Sequence, residues 1–378
     1  MTALPVDHVP GTPADSGRAH GRILAGLGFF DDAFLDAYLK RFVITNRVEY
    51  PDLFEQADRW LGGLPANYQE EIEGIATGAR VSVRTAATFL YADIARPTVA
   101  EPRTFDAIRD TEPEPGAHEL PSGPMCSAMI AAIDREPWVA RNCDWLYATL
   151  MRGTAAVVHE TPNRIPVMAV GIRGDIDVDT GINAERLWLH LHTLLDLGDP
   201  PRDRTIISWL FWAREALELC ASLDELERFI ERTGRDRGVI AVAADGKTGE
   251  AAVFECTKCA HTRHDFDPVK PPMVATNHPQ TKPIDAAREA KARPGSTVGR
   301  FCALRSIARD HPPEHGPDDL IDVLADDGVE MRTPEHLRTI YSAVVRPETG
   351  EVWFAAGGNK GEPAASTGHW ERVGWRFR

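Results

Sequence analysis

The first residue in this chain placed for covalent chemistry is Cys126, in the segment GPMCSAMIAAIDREPWVARNCDW (123–145), where a proline-rich stretch gives way to an apolar run. A thiolate is a strong nucleophile, but a free thiol near pKa 8.5 is mostly protonated at neutral pH, so it needs a base or a cation beside it. Arg141, Asn142, Asp144 and Trp145 close a second apolar run, which the turn-like DREP (134–137) would fold back beside Cys126. The alternative is that Cys126 is a small buried hydrophobe, as most free cysteines are.

Three other groups have ligand chemistry. Cys256, Cys259, His261 and His264 in ECTKCAHTRH offer zinc ligand types, but the spacing is too compact for a two-knuckle finger, and solvent-facing residues of a hairpin are the favoured reading. Asp175, Asp177 and Asp179 alternate in GDIDVDTG; they could hold Ca²⁺, and a solvated loop face is favoured. His190 and His192 share one strand face by the period of two, which suits a substrate contact or a metal pair. No metal is assigned to any of these groups. Cys143, Cys220 and Cys302 show no partner pattern and are read as core or helix-face residues.

The elements that must position these groups follow from periodicity. Residues 1–20 are poor in apolar side chains and rich in Pro and Gly, a composition that predicts a flexible tail. Residues 21–100 carry helical spacing, as in Phe34, Leu35, Tyr38 and Leu39, and predict an α-helical N-terminal region. Residues 101–125 form a Pro-rich linker without sustained period. From 126 to 378 the texture is that of strands: 127–133 with 138–140, then 155–160, 165–172 and 186–194. Residues 205–232 read as helical, with Ser222 and Glu225 fitting a capping box. Hairpins are predicted around Gly246–Gly249 and Glu348–Gly350, with helices near 296–309 and 317–326 between them. Strand runs, helices and further strands predict an α+β layered core.

Composition bounds the function. The 378 residues hold 42 Lys+Arg against 57 Asp+Glu, a formal charge of −15, which disfavours nucleic acid because non-specific phosphate affinity rests on Lys and Arg. No apolar run approaches the ~20 residues of a bilayer span, and the N-terminal stretch has no apolar h-region behind a basic n-region. The expectation is a cytoplasmic protein without a membrane partner, in which six cysteines are too sparse for a disulfide scaffold.

Cys-Ser followed by a strand pair and Arg-Asn-x-Asp-Trp resembles the cysteine N-terminal nucleophile hydrolases, nearest to the isopenicillin N acyltransferase group and more distantly to the choloylglycine hydrolases. Further motifs of that group follow in matching order: EIEGIATGARVS (71–82) as E-x-x-G-I-A-x-G, GINAERLWLHLHTL (181–194) as G-x-N-x-x-G-L, MVATNHP (273–279), STVGRF (296–301) and the hairpin TIYSAVVRPETGEVWFAAG (339–357). The resemblance implies a four-layer αββα sandwich and a nucleophile exposed as a new amino terminus. With 125 residues ahead of Cys126, it implies precursor cleavage between Met125 and Cys126, the N-terminal region staying bound as a heterodimer of the chain's own halves.

The resemblance also implies roles. The thiol of Cys126 would attack an amide or thioester carbonyl, and its own α-amino group, near pKa 7.7 to 8.0, would serve as the base. Arg141 would be positioned against the cysteine or the substrate, Asp144 would orient the freed amine, Asn277 would donate to the oxyanion, and Arg300 would support the site from a helix start. Two positions depart from the pattern: Arg186 stands where the group has a glycine, and His192 takes the position of an oxyanion asparagine. A histidine donor would keep the hole with an altered pH dependence; a core histidine would leave it incomplete.

Three readings follow. One is an amidohydrolase or N-acyltransferase on a small-molecule amide, needing no organic or metal cofactor and allowing acyl-CoA as a substrate. Another is a peptide-directed peptidase or modifying enzyme of the same fold. The third is a catalytically silent binding protein.

Overall fold

The computed structural model describes residues 6–46, 50–94, 125–145, 153–173, 176, 178–194, 203–281, 296–333, 337–358 and 362–373. Strand β1 (Val6–Pro10) is followed by helices α1 (Pro13–Gly26), α2 (Asp32–Asn46), α3 (Tyr50–Gly63), α4 (Ala66–Ala79) and α5 (Val83–Ile94). The expected linker, apart from Met125, lies outside the described residues. Next come β2 (Met125–Ile133), β3 (Glu136–Trp145), β4 (Thr154–Glu160), β5 (Val167–Ile172), β6 (Thr180–Asn183), β7 (Leu187–Leu194) and β8 (Thr205–Ile207). Helices α6 (Trp209–Leu219) and α7 (Leu223–Arg232) precede β9 (Thr233–Arg235), β10 (Gly238–Asp245), β11 (Glu250–Cys256), β12 (His261–Asp265) and β13 (Met273–Ala275). The chain continues with α8 (Thr297–Asp310), α9 (Pro317–Leu324), β14 (Arg332–Thr333), β15 (Leu337–Arg346), β16 (Glu351–Ala356), α10 (Ala364–Thr367) and β17 (Glu371–Val373).

The fold is α+β. One sheet has the order β1-β4-β5-β6-β7-β10-β11-β12, and a second has β13-β2-β3-β15-β16-β17 with β14 on β15. Side chains alternate between two cores, as the strand period requires. Ala128 and Ile130 of β2, with Val139 and Cys143 of β3, share an apolar core with Trp188, Ile240 and Val242 of the other sheet. Met129, Ala131 and Ile133 turn the other way, onto Phe301 and Leu304 of α8 and Leu320 and Leu324 of α9. On the first sheet, Leu187, Leu189 and Leu191 face Trp212 and Leu217 of α6 and Phe229 of α7. Two sheets thus stack between helical layers. Among the described residues, no helix is long and apolar enough to cross a membrane.

The flexible tail expected at residues 1–20 is corrected over 6–20. β1 pairs in parallel with β4, from Val6↔Ala156 to Pro10↔Glu160, and α1 is capped by Thr12, whose Oγ1 accepts the Asp15 N–H at 3.3 Å. The segment looked unable to fold because its packing uses few apolar side chains. Backbone meets backbone where α1 crosses α4: a Cβ at Gly17 or Gly21 would overlap the carbonyl oxygens of Glu71 or Ile75, and one at Gly74 or Gly78 those of Ala14 or Arg18. Substituting Gly74 with valine is therefore expected to destabilise by about 1–3 kcal/mol through overpacking, read as a lower urea midpoint. An unchanged midpoint would mean that the helices can separate freely.

A second correction concerns 205–232. Residues 205–207 form β8, parallel to β9, and the helical stretch breaks at Cys220 before Ser222 starts α7. The cap is present: Ser222 Oγ accepts the Glu225 N–H at 3.3 Å, while the Glu225 carboxylate accepts from Ala221 N at 2.7 Å.

One register irregularity matters for the site. β15 pairs Thr339 with Asp144 but Tyr341 with Cys143, so Ile340 is an extra residue. Thr339 and Tyr341 would share a face in a regular strand. The bulge sends Thr339 to Asp144, where its hydroxyl donates at 2.7 Å, and Tyr341 to Asp179 in the space between the sheets.

Candidate active site

Cys126 is the second residue of β2, directly opposite Cys143 on β3, and its side chain lies between the sheets, only 1% exposed. Arg141 is two residues from Cys143 and so shares that face. Its Nη2 donates to Cys126 Sγ at 3.5 Å and to Leu191 O at 3.2 Å, and the thiol itself points at Leu191 O at 3.7 Å. The guanidinium is fully buried yet well supplied with acceptors: Asp179 O at 2.7 Å, Asp179 Oδ2 at 3.1 Å and the Thr180 hydroxyl, with the Tyr341 ring 5.5 Å away. Tyr341 in turn donates to Asp179 Oδ1 at 2.6 Å. Burial opposes ionisation of Cys126, but a hydrogen bond from Cys143 and the charge of Arg141 outweigh it and hold the thiol below its ordinary value. Cys143, the donor in that bond, is pushed well up.

Asp144 is three residues from Arg141, so it lies on the opposite face, toward α8. Its Oδ1 accepts from Thr339, and its buried Oδ2 accepts no hydrogen bond among the described residues while facing Arg300 Nη1 at 3.4 Å. Burial raises its pKa to about 6 against the pull of Arg300. Arg300 stands on the first turn of α8, which Ser296 caps by accepting the Gly299 N–H at 3.0 Å. Its Nη1 donates to the Cys126 carbonyl and to Ser127 Oγ at 2.6 Å, and its Nη2 to Asn277 Oδ1 at 3.1 Å.

Asn277 follows β13 and is fixed by Thr297 Oγ1, which accepts its backbone N–H at 2.9 Å. Its Oδ1 accepts the Cys126 backbone N–H at 2.8 Å, and its Nδ2 donates to Thr193 O and Oγ1 at 3.1 and 3.2 Å. Here the asparagine holds the amide nitrogen of Cys126 and does not point its donor at a reacting carbonyl.

His192 departs from its expected role as an oxyanion donor. Its Nδ1 lies 2.8 Å from Thr276 O, a carbonyl, so Nδ1 carries the proton. Its Nε2 is then an acceptor, 3.2 Å from His190 Nε2, which must donate because His190 Nδ1 accepts from Trp188 Nε1 at 2.9 Å. The chain Trp188, His190, His192, Thr276 O is one-directional, and it leaves His192 no proton for a substrate oxygen. Thr193 of β7 meets Asn277 at this end of the site, through its carbonyl and hydroxyl oxygens. Burial lowers His192 to about 3 and His190 well below its ordinary value.

A pH dependence of stability follows. A histidine with a lowered folded-state pKa contributes stability in full above its unfolded value near 6.5 and loses it as pH falls toward the folded value. Burial also lowers His20, to about 4, and His159, well below the ordinary value. Burial acts oppositely on Asp144, but at about 6 it takes up its proton only after the histidine loss has begun. The urea midpoint should therefore decline between pH 7 and pH 5. A flat midpoint there would refute four neutral buried histidines.

Other expected sites resolve differently. Cys256 is buried beneath α7, not solvent-facing, while Cys259 is exposed; His261 pairs with Glu227 and His264 with Glu255, each at 3.3 Å. Among the described residues, no group of three or more His, Cys, Asp or Glu could hold a metal ion. Asp175 and Asp177 lie outside the described residues. Asp179, read as part of a solvated face, is the anchor of Arg141. Cys143, read as having no partner pattern, is the register partner of Cys126. Period-two spacing from Arg141 could have found Cys143; Tyr341 and Thr193 gave no such signal.

No protein-family model matches the chain, and no curated protein does. Among solved structures, a conjugated bile acid hydrolase mutant from Clostridium perfringens is similar at 12% identity and TM-score 0.43, over 67% of this chain and 97% of that one. A penicillin V acylase from Agrobacterium tumefaciens is similar at 16% identity and TM-score 0.46, over 61% and 83%. A Caenorhabditis elegans N-acylethanolamine-hydrolyzing acid amidase ortholog is similar at 14% identity and TM-score 0.42, over 59% and 93%.

Proposed function

We propose that this chain is a cysteine N-terminal nucleophile amidohydrolase or N-acyltransferase of the isopenicillin N acyltransferase type, activated by cleavage of its own Met125–Cys126 bond. The observation that carries this reading is the pair of contacts at Cys126: Arg141 on its sulfur at 3.5 Å and Asn277 on its backbone nitrogen at 2.8 Å. A structural cysteine needs neither.

In activation, Cys126 Sγ attacks the Met125 carbonyl carbon, the C–N bond breaks, the nitrogen takes a proton, and water hydrolyses the resulting thioester. The freed α-amino group then acts as the base that an amide nitrogen cannot be. Asp144 lies across the ladder from Met125 and orients that amine, and Arg141 favours the thiolate. In turnover, the thiolate attacks an external amide or thioester carbonyl, the amine passes its proton to the leaving group, and water or an amine takes the acyl group. Asn277 serves the oxyanion through Nδ2, which exchanges its bond to Thr193 for one to the substrate oxygen, while Oδ1 stays on the Cys126 nitrogen. The chemistry draws only on the chain's own groups, and an acyl-CoA can supply the acyl group.

Intact mass and N-terminal sequencing of the purified protein test this. The expected result is two chains, 1–125 and 126–378, the second beginning Cys-Ser-Ala-Met, with hydrolysis of members of an amide panel. A single uncut chain inert toward the panel would overturn the reading and favour a silent binding protein.

A further inference from the structure

We propose that Cys126 and Cys143 form a reversible oxidative modification site, in which a hydroperoxide converts the cross-strand cysteine pair to a disulfide. The two residues are register partners in the β2–β3 ladder, so their side chains leave the same face of the sheet. Opposite residues of an antiparallel pair have Cα atoms about 4.5–5.5 Å apart, within the roughly 4.4–6.8 Å that a disulfide spans. The two thiols are linked electrostatically, Cys143 favouring the Cys126 thiolate. Both are buried, and both are present as free thiols.

The two thiols differ in a way that sets their order of reaction. Arg141 Nη2 lies 3.5 Å from Cys126 Sγ and favours its thiolate, which attacks the peroxide. The peroxide O–O bond breaks, one oxygen stays on sulfur as the sulfenic acid, and the other leaves once protonated, as water from hydrogen peroxide or as the alcohol from an organic hydroperoxide. Cys143 sulfur then attacks the Cys126 sulfenic sulfur, the S–O bond breaks, water leaves carrying the Cys143 proton, and the S–S bond forms. Two thiols are oxidised by one peroxide, and an external dithiol reverses the step by exchange. Cys143 is thus a resolving residue, which keeps Cys126 from the irreversible sulfinic state. That the disulfide also silences turnover rests on Cys126 being the nucleophile; the cross-link itself does not.

The test uses the wild-type protein treated with hydrogen peroxide, alkylated without reduction and digested with trypsin. The cuts at Arg135 and Arg141 put the two cysteines on separate peptides, so the disulfide appears as a linked pair. The expected result is that linked pair, lost on dithiothreitol treatment, with Cys143→Ser giving sulfinic acid at Cys126 under the same dose. Cys126 sulfinic acid beside an alkylated Cys143 in the wild type would overturn the proposal, as would two unmodified thiols when the exposed Cys259 is oxidised. Because the linked pair is read by mass, an inactive or uncut protein carrying it would overturn the enzymatic reading and leave this one standing.

Discussion

The Cys126→Ala variant is expected to purify as one uncut chain and to lose acyl transfer by a factor on the order of 10⁴ or more, the range reached when a covalent nucleophile is removed. The substitution deletes one sulfur atom from a site whose other groups hold one another: Arg141 keeps Asp179, Thr180 and Leu191 O as acceptors, and Asn277 keeps the backbone nitrogen of residue 126. Stability should change by no more than about 1 kcal/mol, so lost activity reports chemistry and not unfolding. Cys126→Ser separates the two demands, since a hydroxyl can attack but ionises far less readily than a thiol. It should cut slowly and turn over poorly. Wild-type rates in the alanine variant would remove Cys126 from the mechanism.

The second large effect concerns stability. Arg214 of α6 is buried between Glu71 of α4, reached at 2.8 and 2.9 Å, and Glu218, reached at 3.0 Å, and it also donates to Ile176 O at 3.1 Å. Arg214→Met removes the cation and strands two carboxylates, a loss expected at about 3–5 kcal/mol. Burial already raises the Glu71 pKa, and without Arg214 that rise is larger. A carboxyl with a raised folded-state pKa binds its proton more tightly folded than unfolded, so the deficit should shrink as pH falls. Adding Glu71→Gln should recover part of it, and the double-mutant cycle built from urea midpoints measures the coupling. Additive effects would show that the triad contributes no mutual stabilisation.

Much of this arrangement was legible in the residues. Strand texture placed strands at 127–133, 155–160 and 186–194, and the family resemblance put Arg300 at a helix start, where α8 carries it behind the Ser296 cap. What escaped was set by contacts without a local signature. The glycines of α1 read as breakers because their partners, on α4, are about fifty positions away. The Ile340 bulge has no marker residue, so nothing announced that Thr339 and Tyr341 serve opposite faces of the sheet. For His192 the resemblance leaves two readings open, oxyanion donor or core histidine, and only the neighbours on both ring nitrogens reveal that its proton is committed. Arg141 needs an anchor to stay buried, but an aspartate in a run of alternating acids looks the same whether it faces water or a guanidinium.

The pairing of β1 with β4 has a consequence for reassembly. Val6–Pro10 and Ala156–Glu160 lie on opposite sides of the Met125–Cys126 bond. While that bond is whole, the strands find each other within one chain, at the high local concentration a tether provides. Under the proposed cleavage, the same sheet would join two molecules, and recovery from denaturant would become a second-order encounter whose yield falls on dilution.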